Sequence, residues 1–297
     1  MNNLFINNKN IGRTTAIVLL VLTALLWSSG GLLIKLISWN PIAIAGFRSG
    51  IAALFILIII KKPRLTWSLP QVGGAIAYAL TVISFVVATK LTTAANAILL
   101  QYSAPVYVAI FGGLFLKEKT KPRDWVTIFF VMGGMVLFFL DEISMDNIYG
   151  NLIAVFSGLA FAALAIFMRM QKNGSPLESA FLGNIVTAII GLPFMFISEK
   201  PDFTGWIALL ILGVFQLGIS YTLYSIAIKN VTALEATIIP IIEPILNPLW
   251  VYLFTGEAPG KWAVIGGIIV LVSVTIRCVL SVIRPDTATS VEQGESI

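Results

Sequence analysis

Apolar runs of about 20 residues recur along the whole chain, and a helix of that length crosses the roughly 30 Å hydrocarbon core of a bilayer. The breaks between the runs, such as KKPR, KEKTKPRD and SEKPD, carry the Pro and charged residues typical of loops. The sequence therefore predicts ten membrane-spanning helices. They are Thr14–Leu36, Pro41–Ile60, Pro70–Ala88, Thr93–Leu116, Trp125–Leu140, Gly150–Met170, Leu177–Ile197, Trp206–Ile228, Ala233–Thr255 and Lys261–Val282.

The composition excludes an ordinary soluble protein. Hydrophobic residues make up 58% of the chain and charged residues 11%, whereas soluble domains average about 25% charged residues. The sequence has no histidine and only one cysteine, Cys278. We therefore expect no disulfide, no metal site, no cofactor and no catalytic residues. The net charge of +5 is spread over short loops, which argues against a nucleic-acid partner and indicates membrane topology instead.

The placement of Lys and Arg predicts the orientation of the spans. With the N-terminus inside, 14 of the 19 basic residues fall on the inner side and 4 on the outer side, and Arg48 lies within a span. Such a bias predicts a multi-pass protein of the cell inner (plasma) membrane with both termini in the cytoplasm. The polar tail, residues 285–297, is predicted to be disordered.

The chain contains an internal repeat. The segment that begins ATKLTTAANAILL at Ala88 aligns without a gap, at an offset of 139 residues, with the segment that begins AIKNVTALEATII at Ala227. Nine of 31 aligned positions are identical, including the pairs Lys90 with Lys229 and Pro105 with Pro244. Each half has five predicted spans, so the second copy enters the membrane from the opposite side. Inverted repeats of this kind suit transport by alternating access.

These features resemble a known family. The ten-span layout, the LLWSSGG run in the first helix, the Pro-containing fourth and ninth helices and their endings LFLKEK and YLFTGE resemble the drug/metabolite transporter superfamily, in particular its EamA-type bacterial exporters. The resemblance implies a central cavity between the halves, with the fourth and ninth helices at the pseudo-symmetric centre. It also implies substrates such as amino acids, other metabolites or drugs.

The predicted fold is therefore an all-α integral membrane protein with ten transmembrane helices, arranged as two inverted five-helix repeats around a central cavity. The first repeat covers residues 14–140 and the second residues 150–284. The halves are not chemically equivalent, because Ala104 stands where the second half has Glu243. The repeat-equivalent acids Glu118 and Glu257 lie close to helix ends, and we interpret both as residues that hold loops in place.

Glu243 is the one acidic residue that lies deep within a predicted span. A carboxyl group at bilayer depth is costly and usually faces a cavity or a partner. Asn247 and Trp250 share its helix face, and such a stripe can bind an ammonium group or a proton by turns. The alternative is a neutral, structural Glu bonded to a helix carbonyl. Pro240, Pro244 and Pro248 in the same span predict a kink and backbone carbonyls without their usual donors.

Arg48 lies inside the second predicted span. Its guanidinium group can bind a substrate carboxylate through two parallel hydrogen bonds. Two structural alternatives stay open: the side chain can extend toward the outer interface, or it can pair with Glu243. Gly46 and Gly50 flank it in a pattern that more often means close helix packing than binding.

Further polar and aromatic residues lie within spans, where they can bond a substrate without the cost of a charge or can join helices. With the residues named above, they complete the predicted substrate-binding set. These further candidates are Gln101, Tyr102, Gln216, Tyr221, Trp27 and Ser28.

The sequence favours a secondary transporter, and specifically an exporter, of small amphipathic metabolites such as amino acids, acting by alternating access. The expected partners are a small-molecule substrate, the lipid bilayer and, through Glu243, protons. We expect a monomer or a homodimer. No P-loop pattern is present in the sequence. The alternatives are a membrane-embedded enzyme, which would need a nucleophile and base or a metal, and a non-transporting membrane scaffold.

Overall fold

The computed structural model describes residues 11–138, 140, 147–197, 199–246 and 260–283. These residues form helices and connecting loops, with no strand among them. The α-helices, in chain order, are α1 (Arg13–Trp27), α2 (Gly30–Leu36), α3 (Pro41–Ile60), α4 (Leu69–Leu91), α5 (Ala94–Gln101), α6 (Ala104–Leu116), α7 (Pro122–Phe138), α8 (Ile148–Met170), α9 (Pro176–Gly191), α10 (Phe194–Ile197), α11 (Phe203–Ile211), α12 (Ser220–Ala227), α13 (Ala233–Ile238) and α14 (Lys261–Ile283).

Eight stretches of helix are long and apolar enough to cross a membrane. They are Arg13–Leu36, Pro41–Ile60, Leu69–Leu91, Asn96–Leu116, Ile148–Met170, Pro176–Ile197, Phe203–Ala227 and Lys261–Leu280. These stretches match eight of the predicted spans to within a few residues at each end. The prediction of an all-helical membrane protein is confirmed.

Two shorter helical stretches occupy the places of the other two predicted spans. Helix α7 has 17 residues, and the stretch that begins with α13 stays helical through residue 246, where a gap in the described residues begins. The ten-helix count and the inverted repeat fit this arrangement and stay predictions. The predicted tail and the residues Asn247, Pro248, Trp250 and Glu257 lie outside the described residues.

Several spans are interrupted near their middle. Between α1 and α2 the helix breaks at Ser28 and Ser29, and between α5 and α6 it breaks at Tyr102 and Ser103. Pro105 lies in the first turn of α6, where a residue without a backbone N–H is tolerated. Where the kink is predicted, after α13, the helix tightens to a 3-10 turn, Ile239–Ile241, with Pro240 in its first positions.

The span made of α11 and α12 contains a π-helix, Leu212–Ile219, between its two α-helical parts. A π-helical insertion widens the turn and is frequent at functional sites. Gly213 and Gly218 of this segment pack against α3: a methyl group on Gly213 would lie 2.5 Å from Ile51 Cβ. The π-helix therefore packs directly against the helix that carries Arg48.

The bundle has two ends, which we name after the residues that mark them on the first span. Arg13 begins α1 and marks the Arg13 end, and Lys35 near the end of α2 marks the Lys35 end. Lys90 Nζ donates to the Ile37 carbonyl at the Lys35 end. Its repeat equivalent, Lys229, is bonded through its carbonyl to the Arg169 side chain, which also holds Glu118. Glu118 also accepts from the Ala233 N–H. Ala233 is two residues from Glu235, and Glu235 binds Arg13. Lys229 therefore lies near the Arg13 end, as an inverted repeat requires.

Candidate functional site

A cavity lies among the interrupted helices. It provides about 40 Å³ for the centres of water-sized molecules, which is room for a few waters because each needs roughly 10–15 Å³ on that measure. The space is therefore narrow. Its walls are Trp27, Arg48, Thr81, Val82, Phe85, Gln101, Tyr102, Phe161, Gln216, Leu217, Tyr221 and Glu243.

The cavity brings together most of the predicted substrate-binding residues. Seven of the ten line it, and they come from both halves of the chain: Trp27, Arg48, Gln101, Tyr102, Gln216, Tyr221 and Glu243. Ser28 does not line the cavity. Its hydroxyl donates to the Leu25 carbonyl at 2.7 Å, so it serves the break between α1 and α2. Asn247 and Trp250 lie outside the described residues.

Arg48 is the buried cation of the cavity, with 1% of its surface exposed. Its Nη1 donates to Gln216 Oε1 at 3.0 Å, and Nε has no hydrogen-bond partner among the described residues. The side chain therefore does not extend to the interface, and it forms no ion pair with Glu243. A buried guanidinium without a carboxylate is costly unless an anion can reach it.

The π-helix and a glycine of the first span together position Gln216 beside Arg48. Gly30 begins α2, and a methyl group on it would lie 2.9 Å from Gln216 Nε2. The absence of a side chain at Gly30 thus leaves room for the Gln216 amide. The SSGG part of the LLWSSGG run supplies both the helix break and this space.

Glu243 and Tyr102 join the two interrupted helices at the centre. The Tyr102 hydroxyl lies 2.5 Å from Glu243 Oε2 and 2.8 Å from the Pro240 carbonyl. Residue 244 is a proline and cannot donate to the Pro240 carbonyl, as the helix would normally require. The Pro240 carbonyl accepts instead from the Tyr102 hydroxyl of the other half and from the Ile242 N–H.

Aromatic rings form one side of the cavity. The Trp27 ring lies 5.2 Å from that of Tyr221 and 5.8 Å from that of Phe161, measured between centroids. Its indole N–H donates to Ser220 Oγ at 2.9 Å, which fixes the ring plane. Tyr221 in turn packs edge-on against Tyr78 at 4.6 Å. Such a wall can hold an apolar group or contact a cation through ring faces.

A chain of polar groups forms another side. Gln101 Nε2 donates to Ser157 Oγ at 2.8 Å, and Ser157 Oγ lies 3.1 Å from the Thr81 carbonyl. Gln101 thus links α5 to α8 and α4. Joining helices is one of the two roles that the sequence allows for it, and binding a substrate is the other. Within the described residues no three His, Cys, Asp or Glu side chains group closely enough to hold a metal ion.

The sequence analysis did not predict five of the described wall residues: Thr81, Val82, Phe85, Phe161 and Leu217. Four of them are apolar, and in a membrane span an apolar residue can face lipid, a helix or a cavity with equal plausibility. Thr81 is polar, but its hydroxyl bonds the Ala77 carbonyl of its own helix. Only the packing of the helices distinguishes these residues from others of the same type.

Comparison with known proteins agrees with this architecture. The sequence model of the EamA-like transporter family matches residues 14–140 and, a second time, residues 148–277. The chain belongs to the EamA-like transporter family. It is thus a transporter of the drug/metabolite transporter superfamily, as the sequence motifs predicted.

Several EamA-like relatives align over most of the chain. The pseudopaline exporter of Pseudomonas aeruginosa is 25% identical over 272 residues, which cover 87% of this chain and 94% of that protein. An uncharacterized transporter of Clostridium kluyveri is 25% identical over 289 residues, 88% of this chain and 92% of its own length. One solved crystal structure superposes with a TM-score of 0.76 at 18% identity and covers 91% of this chain and 100% of that one.

Proposed function

We propose that this EamA-like protein is a secondary exporter of small amphipathic metabolites such as amino acids, and that it works by alternating access. The observation that carries the proposal is the cavity, which presents a buried cation, a buried acid and an aromatic wall to the same space. A zwitterion with an apolar side chain matches these three features: its carboxylate binds Arg48, its ammonium group binds Glu243, and its side chain meets the rings.

The balance of hydrogen-bond donors and acceptors around Tyr102 supports proton coupling through Glu243. Tyr102 has one hydroxyl proton and two acceptors within reach, the Pro240 carbonyl and Glu243 Oε2. A protonated Glu243 donates to the Tyr102 oxygen while Tyr102 donates to Pro240, and each of the three contacting oxygens then has a hydrogen-bond partner. When Glu243 is ionised, a substrate ammonium group can replace the lost proton. Glu243 would thus hold a proton and a substrate by turns.

The direction and the domain organisation rest on the relatives and the repeat. The Pseudomonas aeruginosa relative is an exporter by name, and this supports export here. The two matches of the family model support repeats at residues 14–140 and 150–284. Cytoplasmic termini, an inner-membrane location and a monomeric or homodimeric state belong to the same proposal.

Uptake of labelled amino acids into proteoliposomes under an imposed pH gradient tests the proton coupling. Glu243→Gln keeps the shape of the side chain but cannot exchange a proton, so we expect its transport to lose the response to the pH gradient. Glu199→Gln, which neutralises an exposed acid, should keep the wild-type profile. An unchanged rate and pH profile in Glu243→Gln would remove Glu243 from the mechanism.

Binding measurements test the zwitterion. Arg48→Gln should weaken binding of an amino acid by roughly tenfold to a hundredfold, the loss expected for a charge-assisted hydrogen bond. The same variant should bind the matching amine, which lacks the carboxylate, as well as the wild type does. Equal losses for both ligands would show that Arg48 maintains the structure and does not read the carboxylate.

A further inference from the structure

The Arg13 end of the bundle carries a cluster of four ion-paired side chains from both halves, which we call the charged cluster: Arg13, Asp124, Glu235 and Arg277. Arg13 Nη2 lies 2.5 Å from Glu235 Oε1 and 2.7 Å from Oε2. Arg277 contacts Glu235 at 3.0 Å and Asp124 at 3.1 Å. The cluster therefore ties α1 and α7 of the first half to α13 and α14 of the second.

The charged cluster is balanced and largely buried. It contains two cations and two anions, and Glu235, Asp124 and Arg277 are 1%, 3% and 2% exposed. The cost of desolvation offsets much of the attraction in a buried ion pair, and that cost is recovered when water enters. A cluster of this kind can therefore hold two elements in register and still be opened when water enters from the adjacent interface.

The opposite end uses a different chemistry at the equivalent position. Asn96 stands 139 residues before Glu235, the offset of the internal repeat. Its Nδ2 donates to Asn151 Oδ1 of the second half at 3.0 Å, and Thr92 Oγ1 contacts the same oxygen at 2.9 Å. Both equivalent residues thus connect the first and second halves, but one does so through charges and the other through a neutral amide.

We propose that Glu235 and Asn96 are opposed gate residues, with Glu235 closing the Arg13 end through the charged cluster and Asn96 closing the Lys35 end through Asn151. The proposal rests on alternating access as the mode of transport. In each half-cycle one of the two contacts opens while the other stays closed. The cavity described above lies between the two closed contacts.

The difference in chemistry makes the two gates unequal. Charge-assisted hydrogen bonds are roughly twice as strong as neutral ones. Without solute, the molecule therefore favours closure at the Arg13 end, and openings occur mainly at the Lys35 end. Arg13 is the most exposed member of the charged cluster, with 15% of its side chain accessible. Salt screens such a charge and leaves amide hydrogen bonds nearly unaffected, so ionic strength should shift this preference modestly.

Side-specific labelling of a cavity cysteine tests the proposal without a known substrate. Val82 lines the cavity, so Val82→Cys in a Cys278→Ala background reports access from either side. A membrane-impermeant maleimide is applied to intact spheroplasts and to inside-out vesicles. Glu235→Gln keeps the helix cap, since Gln also serves at this position, but it removes the charge. It should raise labelling from the Arg13 end by about fivefold or more, the effect of losing one charge-assisted hydrogen bond.

The same labelling experiment on the other gate should change the two labelling rates in the opposite direction. Asn96→Ala should raise labelling from the Lys35 end and lower it from the Arg13 end. Glu199→Gln, an exposed acid outside the charged cluster, serves as the control and should leave both rates unchanged. The proposal is overturned if Glu235→Gln and Asn96→Ala shift access in the same direction, or if neither shifts it.

Ionic strength provides a measurement that needs no gate variant. In the Val82→Cys protein, high NaCl should raise labelling from the Arg13 end, and labelling from the Lys35 end should not rise. A salt response at the Lys35 end alone would contradict the assignment of the gates. Loss of pH-dependent transport in Glu243→Gln would leave this readout unchanged, so failure of the gates and failure of the proton coupling are distinguishable.

Discussion

At the scale of single residues, the Tyr102 hydroxyl has an unusual position. It contacts a carboxyl oxygen and a backbone carbonyl of the other half, and Tyr102 itself is 2% exposed. The Ile242 N–H also reaches the Pro240 carbonyl, whereas the hydroxyl is the contact that comes from the other half. The hydroxyl therefore contributes to the stability of the two interrupted helices.

Tyr102→Phe should lower the free energy of unfolding by about 1–3 kcal/mol, because a buried acceptor loses its side-chain donor. It should also change the pH dependence of transport. Thermal unfolding of the purified protein in detergent measures the first effect. Tyr107→Phe in α6 is the matched control, since the Tyr107 hydroxyl makes no hydrogen bond within the described part of the chain, and it should leave stability nearly unchanged. Equal losses in the two variants would contradict this role.

Polar site residues could be predicted from the sequence because a polar side chain in an apolar span must find a partner. This reasoning identified Arg48, Gln216 and Glu243. The same reasoning placed Ser28 in the substrate-binding set, which stays a prediction; its hydroxyl donates to a carbonyl three residues earlier, a partner that every helix offers. It also had no means of identifying Phe161, because nothing in its residue type distinguishes a cavity wall from a lipid-facing surface.

At the scale of elements, the positions and lengths of most spans followed from hydropathy, and the break near Pro240 followed from the chemistry of proline. The π-helix Leu212–Ile219 did not. It contains no proline, and it packs closely against α3 through Gly213 and Gly218, a contact that the local sequence does not encode. The small-residue pattern of Gly46 and Gly50 predicts close helix packing at both positions. Gly46 does pack closely, against Gly191 of α9, whereas a methyl group on Gly50 would meet its nearest atom only at 3.9 Å.

Gly46→Ala should destabilise the protein by roughly 1–3 kcal/mol, because the added methyl group would lie 2.6 Å from the backbone of Gly191 and overpack the contact. Gly50→Ala, one helical turn later, meets its nearest atom at 3.9 Å and should be neutral or slightly stabilising. Melting temperatures of the two variants decide the matter. A destabilised Gly50→Ala beside an unaffected Gly46→Ala would mean that the helices pack differently.

At the scale of the whole molecule, charge distribution and repeat pattern point to the same topology. Lys90 and Lys229 lie at opposite ends of the bundle, and Glu118 holds the Arg169 side chain and the start of α13 together. The interpretation of Glu118 as a structural residue is thus confirmed. Its repeat equivalent lies outside the described residues. The orientation in the membrane stays a prediction from the placement of Lys and Arg in short loops.

Single cysteines at exposed loop positions test the orientation. In a Cys278→Ala background, Lys62→Cys should react with an impermeant maleimide only in inside-out vesicles, and Lys200→Cys only in intact spheroplasts. Both positions are exposed, so failure to react on one side reflects the membrane and not burial. Reaction of both cysteines from the same side would contradict the topology and the inverted repeat with it.

The small volume of the cavity has a consequence for how a solute is captured. A space that holds a few waters cannot admit an amino acid, so binding requires a wider form of the molecule. Capture is then limited by how often that form occurs, and the observed affinity is the intrinsic affinity reduced by its population. A compound that fits the wide form alone would act as a slow-binding blocker of the transporter, even without resembling its cargo.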